Sequence, residues 1–147
     1  MFRFLLAYLY FLWGNTQRHF GNRFGTHSSY EAAARNLNRA YELDKSMREA
    51  RMNRAVLLWR ELNREQEAIS ELDSMLVEDP AFAPALLNRG LAYQQQGAYS
   101  TALEDLRAYL QLPPDDIEYL RHAQRMINLL EKMSEAEPTS PPDSPPT

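Results

Sequence analysis

The chain of 147 residues contains no cysteine. Disulfide bridges and thiolate metal sites are therefore excluded, and cysteine usage cannot indicate the redox compartment. Lysine is scarce as well, since only Lys45 and Lys132 occur, and nearly all of the positive charge is arginine. At this length we expect one domain with a core of moderate size.

The chain also lacks an apolar run long enough to span a bilayer, which needs about 20 residues. The nearest approach is Met1–Trp13, an aromatic-rich stretch whose only charged side chain is Arg3. It does not resemble a cleaved signal peptide, because no small-x-small site precedes Gly14. Its composition leaves three interpretations open.

The first interpretation is that Met1–Trp13 extends the first helix and packs against Leu37, Tyr41 and the next repeat. The second is contact with a membrane interface, which tryptophan and tyrosine favour, with Arg18 and Arg23 placed to meet anionic head groups. The third is attachment to a larger protein assembly, since a helix that is apolar on all sides must be covered on both faces.

No motif for catalysis, cofactor binding or metal binding is present. The acidic pairs Asp115-Asp116 and Glu104-Asp105 fit a helix cap and a solvated helix face. None of the three histidines has a ligand-type partner at helical spacing; they are His19, His27 and His122. We therefore expect a protein that is not an enzyme and that has no cofactor, metal or small-molecule substrate.

Charge is divided unevenly along the chain. Residues 1–64 carry a net charge of +6, and residues 65–147 carry −10. The two ends therefore suit different partners, although charged helix faces are usually only solvated ones. Nucleic-acid binding is not expected, because acidic residues interrupt the arginine-bearing segment Arg35–Arg64.

The most regular part of the sequence is Ala83–Asp116, which predicts two antiparallel helices joined by a tight turn. Small residues, Gly90 and Ala92 on the first helix and Ala102 on the second, allow the two backbones to approach closely. Leu106 and the tyrosines of both helices fill the edges of that contact.

The same pattern recurs upstream. Asn53-Arg54-Ala55 mirrors Asn88-Arg89-Gly90 at an offset of 35 residues, and Ala68-Ile69 mirrors Ala102-Leu103 at an offset of 34. One extra residue in the turn Glu61–Arg64 explains the difference, because turns tolerate insertions. A weaker third copy begins at Phe20-Gly21 and Phe24, and its second helix contains Tyr30, Ala33, Leu37 and Ala40.

The positions of Gly90, Tyr93, Tyr99, Ala102 and Pro114 resemble the tetratricopeptide repeat (TPR) pattern. Leu86 stands where that pattern prefers tryptophan, and Arg89 replaces a leucine. The resemblance implies an all-α fold, an α-solenoid of about three helical hairpins closed by a C-terminal capping helix. It covers about Asn15–Asp116, and its quality falls toward the N-terminus.

Three regions are predicted. Residues 1–13 form the apolar N-terminal segment, and residues 14–133 form the repeat domain with its capping helix. The capping helix begins at the box Asp115…Glu118 and ends at about Met133. Residues 134–147 are rich in proline, serine and acid, which is typical of a disordered tail.

In tetratricopeptide arrays the first helix of each hairpin lines the concave groove, so the resemblance also implies site residues. An apolar strip flanked by amides and arginine suits an extended peptide or an amphipathic helix. Trp59 is the expected hot spot, with packing against the neighbouring helix as its alternative. The predicted groove residues are Glu49, Met52, Asn53, Val56, Trp59, Arg60, Leu87, Asn88, Leu91, Gln94 and Gln95.

These features predict a non-catalytic scaffold or adaptor that binds a protein or peptide partner in the groove. The alternative is a membrane-associated assembly subunit attached through Met1–Trp13. Some family members clamp the C-terminal carboxylates of chaperones with lysine, asparagine and arginine, but the lysines of that clamp have no counterpart here. We expect a cytoplasmic location, with peripheral membrane contact under the alternative.

Overall fold

The computed structural model describes residues 2–113 and 116–136, and all secondary structure in these residues is helical. The helices are α1 (Phe2–Phe24), α2 (His27–Leu43), α3 (Arg48–Arg60), α4 (Glu65–Glu78), α5 (Ala83–Gln96), α6 (Tyr99–Leu110) and α7 (Ile117–Ala136). The predicted all-α class is therefore confirmed.

The helices stack as three hairpins in chain order, α1 with α2, α3 with α4 and α5 with α6, and α7 packs on α6. Each hairpin buries its apolar face against the next one, so the core runs along the stack. The largest buried cluster extends from α3 to α7 and includes Leu72, Leu106 and Leu130. This is the predicted solenoid with its capping helix.

The capping helix continues to Ala136, beyond the predicted end at Met133. Asp116 begins its first turn, since its Oδ1 accepts a hydrogen bond from the Glu118 backbone N–H at 2.8 Å. Asp115, also assigned to the cap, lies outside the described residues. Most of the predicted tail, residues 137–147, lies outside them as well.

The turns within the hairpins differ in length. Gly97 follows the last residue of α5 with a φ of +84°, which suits glycine, and the Ala98 N–H closes the turn on the Tyr93 carbonyl at 2.9 Å. The turn between α3 and α4 occupies residues 61–64 and contains Asn63 at a φ of +51°. The longer turn fits the inserted residue that the repeat offsets predicted.

Gly90 marks the closest approach of α5 to α6. A Cβ atom there would lie 3.0 Å from Leu106 Cγ and 3.3 Å from the Ala102 carbonyl oxygen. In the first hairpin the same surroundings belong to Gly14, where a Cβ would lie 2.9 Å from Leu37 Cγ and 3.2 Å from the Ala33 oxygen. Gly14 is therefore the structural equivalent of Gly90.

The sequence pattern had assigned that role to Gly21, and this register is wrong by seven residues. Gly21 instead faces the ring of Tyr30, nearer the turn. The reason is that both arms of the first hairpin are about one helical turn longer than those of the third. In the third hairpin Gly90 lies twelve residues before Ala102. The same count back from Ala33 reaches Gly21, which lies too close to the turn.

α1 is one continuous helix that includes the apolar N-terminal stretch. Tyr10 and Phe11 pack on the cluster around Leu37, with Tyr41 beside them, as the first interpretation of this stretch expected. The opposite side of the helix is not covered, and Leu9 and Trp13 are exposed there. Only one of its two apolar faces is therefore buried.

Candidate functional site

A cleft of about 890 Å³ opens on the side of the stack formed by the first helices of the hairpins. α3 and α5 form its floor, α7 closes one end, and α1 contributes one residue at the other end. The lining residues are Arg18, Asn53, Val56, Trp59, Arg60, Pro84, Leu87, Asn88, Leu91, Tyr109, Asp116, Tyr119 and His122.

Most of the predicted groove residues meet in this cleft. α3 and α5 each present residues three and four positions apart, which share one helix face. Those that line the cleft are Asn53, Val56, Trp59, Arg60, Leu87, Asn88 and Leu91.

The other four predicted residues lie elsewhere. Met52 is buried in the main core, and Glu49 borders a separate small pocket between α1 and the start of α3. Gln94 is half-buried outside the cleft lining. Gln95 holds α5 to the preceding hairpin, because its Nε2 donates to the Trp59 carbonyl at 3.0 Å and to Glu65 Oε1 at 2.8 Å.

The floor of the cleft is apolar between two amides. Val56 and Leu91 are half-buried and pack on the main core, as does the more buried Leu87. The Asn53 amide nitrogen donates to Asn15 Oδ1 at 3.2 Å, and that of Asn88 donates to the Pro84 carbonyl at 2.8 Å. These bonds orient each amide and leave hydrogen-bonding capacity on it, since an asparagine side chain has two donors and an acceptor.

Trp59 has two roles in the structure. It lines the cleft, and it also packs on the small cluster of Ala34, Leu58, Leu62 and Ala68. Its indole Nε1 is buried and has no hydrogen-bond partner among the described residues. The alternative considered from the sequence, packing against the neighbouring helix, therefore applies to part of this side chain.

The sequence pattern missed the two ends of the cleft. Arg18 was considered for lipid head groups, but it lines the cleft because α1 is in the register of Gly14. At the other end, Tyr119 and His122 of α7 form a wall. Their spacing of three residues, at the edge of the apolar face of α7, is a signal that could have revealed them.

Arg89 does not take part in the cleft. Its guanidinium holds the buried carboxylate of Asp105 through two hydrogen bonds of 2.6 and 2.8 Å and reaches Asp73 at 2.7 Å. The hydrogen bonds to Asp105 raise the pKa of Arg89 above its ordinary value. The prediction of a solvated face was therefore wrong for Asp105, and Arg89 is not available to a ligand carboxylate.

The second hairpin repeats this ion pair. Arg54 occupies the position of Arg89 and pairs with Glu71, which aligns with Asp105, and with Glu67 at 2.6 Å. Burial lowers the pKa of Arg54, its carboxylate neighbours opposing the effect. In the second and third hairpins these paired charges hold the two helices together outside the cleft lining.

In the part of the chain that the structure describes, no group of three histidine, aspartate or glutamate side chains could hold a metal ion. None of its helices combines the length and the apolar character needed to cross a membrane.

Comparison with known proteins agrees with the fold. A family model described as tetratricopeptide repeat matches residues 57–131, just over half of the chain. No curated protein sequence gives a significant match.

Several solved structures are similar. The Arabidopsis OM64 TPR domain has a TM-score of 0.72 at 22% identity, covering 89% of this chain and 98% of that one. The second TPR domain of human RPAP3, in complex with the HSP70 peptide SGPTIEEVD, has 0.62 at 20% identity, covering 85% and 98%. The Sgt2 TPR domain from Aspergillus fumigatus has 0.64 at 18% identity, covering 91% and 87%. These structures share the fold, and the family match shows that the chain belongs to the tetratricopeptide repeat family.

Proposed function

We propose that this protein is a non-catalytic interaction scaffold whose cleft binds a segment of a partner protein. The observation that carries the proposal is the apolar floor between Asn53 and Asn88. Such a floor can bury aliphatic side chains while the two amides hydrogen-bond the backbone of an extended peptide. The similar RPAP3 domain is in complex with a peptide, which supports peptide binding as a function of this fold.

The charges at the ends of the cleft favour a particular kind of peptide. Arg18 and Arg60 lie toward α1, and Asp116 and His122 lie toward α7. Among the described residues Arg18 has no ion-pair partner, and the exposed Arg60 pairs only with its half-buried neighbour Glu61 at 3.2 Å. We therefore expect bound segments with one or two large aliphatic residues and an acidic residue toward the α1 end.

Recognition of a chaperone C-terminus is not part of the proposal. The sequence lacks the lysines of the carboxylate clamp, and Arg89 is held by Asp105 and Asp73. The ligand class is instead defined by the apolar floor.

The proposal can be tested by selecting peptides from a random display library on the full chain and measuring the affinity of synthetic versions by calorimetry. Replacing Leu91 by aspartate places a charge on the floor and should weaken these peptides at least about tenfold, as expected for the centre of a binding site. Trp59→Ala should weaken them as well.

Val77→Asp is the matched control, because Val77 lies on α4 with 85% of its surface exposed and away from the cleft. This variant should bind the selected peptides like the unmodified chain. Failure to select any peptide, or selected peptides that bind Leu91→Asp equally well, would contradict the proposal. Helix content measured by circular dichroism establishes that each variant is folded.

A further inference from the structure

α1 carries an uncharged apolar stripe on the side opposite α2. Its side chains recur three and four residues apart, so they share one face of the helix. The stripe consists of Phe2, Leu5, Leu9, Leu12 and Trp13, all exposed. From their exposed fractions it amounts to roughly 550 Å², near the upper end for the largest apolar patch of a monomer.

The register set by Gly14 shows what this face corresponds to in the other hairpins. Gly14, Ala55 and Gly90 are equivalent, so Leu9 aligns with Ala50 of α3 and Ala85 of α5. Both alanines are fully buried, and Ala50 packs with Leu37 and Ala40 of the preceding helix α2. Leu9 at the same position is 52% exposed. Around Leu9 the stripe therefore lies where α3 and α5 each receive the preceding antiparallel helix.

The shape and charge of the stripe differ from those of its equivalents. Leu6, Leu9, Tyr10 and Trp13 line an apolar depression of about 310 Å³. Trp13 stands at the position of Arg54 and Arg89, which are ion-paired in their own hairpins. Neither an arginine nor an acidic residue lies on the stripe, so its chemistry fits an apolar helix rather than a charged one.

We propose that the stripe is a self-association surface on which a second copy of this chain packs its own α1 antiparallel. A twofold axis near Leu9 gives this arrangement, since symmetric dimers use the same patch on both subunits. The exposed indole of each Trp13 then enters the depression of the other copy. The stripe supplies most of the about 800 Å² per partner that a stable interface buries.

The two arginines of α1 nearest the stripe do not place their charges on it, so they do not repel a second copy. Arg18 turns into the cleft, and the Arg3 guanidinium donates to the Glu42 carbonyl at 3.3 Å. The depression beside Leu9 and its register with two helix-docking positions favour a helix over a flat lipid surface.

Sedimentation velocity of the full chain over a wide concentration range tests the proposal. We expect a monomer–dimer equilibrium whose dissociation constant rises at least about tenfold in Leu9→Asp and in Trp13→Asp, as for central interface residues. Both side chains are more than half exposed, so helix content should be retained. Val77→Asp, on the exposed face of α4, should leave the equilibrium unchanged.

Disulfide trapping adds an independent readout, because the chain has no cysteine of its own. Under mild oxidation Leu9→Cys should form a covalent dimer. Phe24→Cys should not, since two copies of this exposed residue would lie about 45 Å apart along antiparallel helices. Efficient trapping through Phe24→Cys would contradict the antiparallel arrangement.

A chain that stays monomeric at every concentration would overturn the proposal, as would a dimer unaffected by Leu9→Asp. A monomer that instead sediments with vesicles of phosphatidylcholine and phosphatidylserine, and loses this in Leu9→Asp, would assign the stripe to a membrane surface.

Discussion

Asp105 is the charged residue that the described core contains, with 5% of its surface exposed. Burying a carboxylate is costly unless it is paired and hydrogen-bonded. Arg89 satisfies both oxygens, and Asp73 from α4 joins the same guanidinium. Arg89 therefore links α4, α5 and α6, at a position where the family pattern has a leucine.

Arg89→Leu leaves Asp105 buried without its partner, and we expect it to lower the free energy of unfolding by about 3 kcal/mol. The double variant Arg89→Leu with Asp105→Leu should recover most of that loss, because apolar packing can replace a buried ion pair. Urea unfolding followed by circular dichroism gives both values.

Arg121→Ala is the control for these variants. The ion pair of Arg121 with Glu118 is exposed and should contribute less than about 1 kcal/mol to stability. If Arg89→Leu were as stable as the unmodified chain, Asp105 would have to be solvated or protonated, and the ion pair would not support the fold.

At the scale of helices, close packing within a hairpin depends on one small residue in each first helix. Gly14 and Gly90 face a leucine side chain and a backbone carbonyl of the partner helix, and the carbonyl cannot move aside without moving that helix. Ala55 occupies the same place in the second hairpin and is fully buried. In the first and third hairpins the spacing between the helices therefore leaves no room for a Cβ atom unless the partner helix shifts.

Gly14→Ala and Gly90→Ala should each lower the free energy of unfolding by about 1 kcal/mol, since overpacking costs about 1–3 kcal/mol and helix propensity returns about 1 kcal/mol. Ser70→Ala, on an exposed face of α4, is the comparison and should be neutral or slightly stabilising. Thermal unfolding of the three variants distinguishes the cost of overpacking from the gain in helix propensity. A Gly14→Ala variant that is more stable than the unmodified chain would contradict the register assigned to α1.

In the part of the chain that the structure describes, the hairpins form a stack in which each packs mainly on its neighbours. Stability in such a stack is approximately a sum of hairpin and interface contributions. Among the described helices, α5 and α6 have packed neighbours on both sides, whereas α1 and α7 have neighbours on one side only. Local opening should therefore begin at the two ends.

Hydrogen exchange measured by mass spectrometry should show the strongest protection in α4, α5 and α6. Leu130→Ala removes a fully buried side chain of α7 and should speed exchange in α6 and α7 while leaving α1 and α2 unchanged. Leu37→Ala should do the reverse. Uniformly faster exchange throughout the chain in either variant would indicate all-or-none unfolding instead.

The number of hairpins, the capping helix and seven of the cleft residues were predictable from the sequence, because they depend on helical periodicity and on a repeat of nearly constant length. Residues such as Val56 and Leu91 repeat at matching positions, and their shared face follows from helix geometry alone.

Other features required the tertiary structure. The length of the first hairpin's arms decides which glycine of α1 meets Leu37, so it also decides that Arg18 faces the cleft and Leu9 faces outward. Asp105 resembles a surface residue in the sequence, because only the packing of three helices brings Arg89 and Asp73 to it. Local periodicity determines which residues share a helix face, whereas contacts between helices depend on how far each helix extends past its turn.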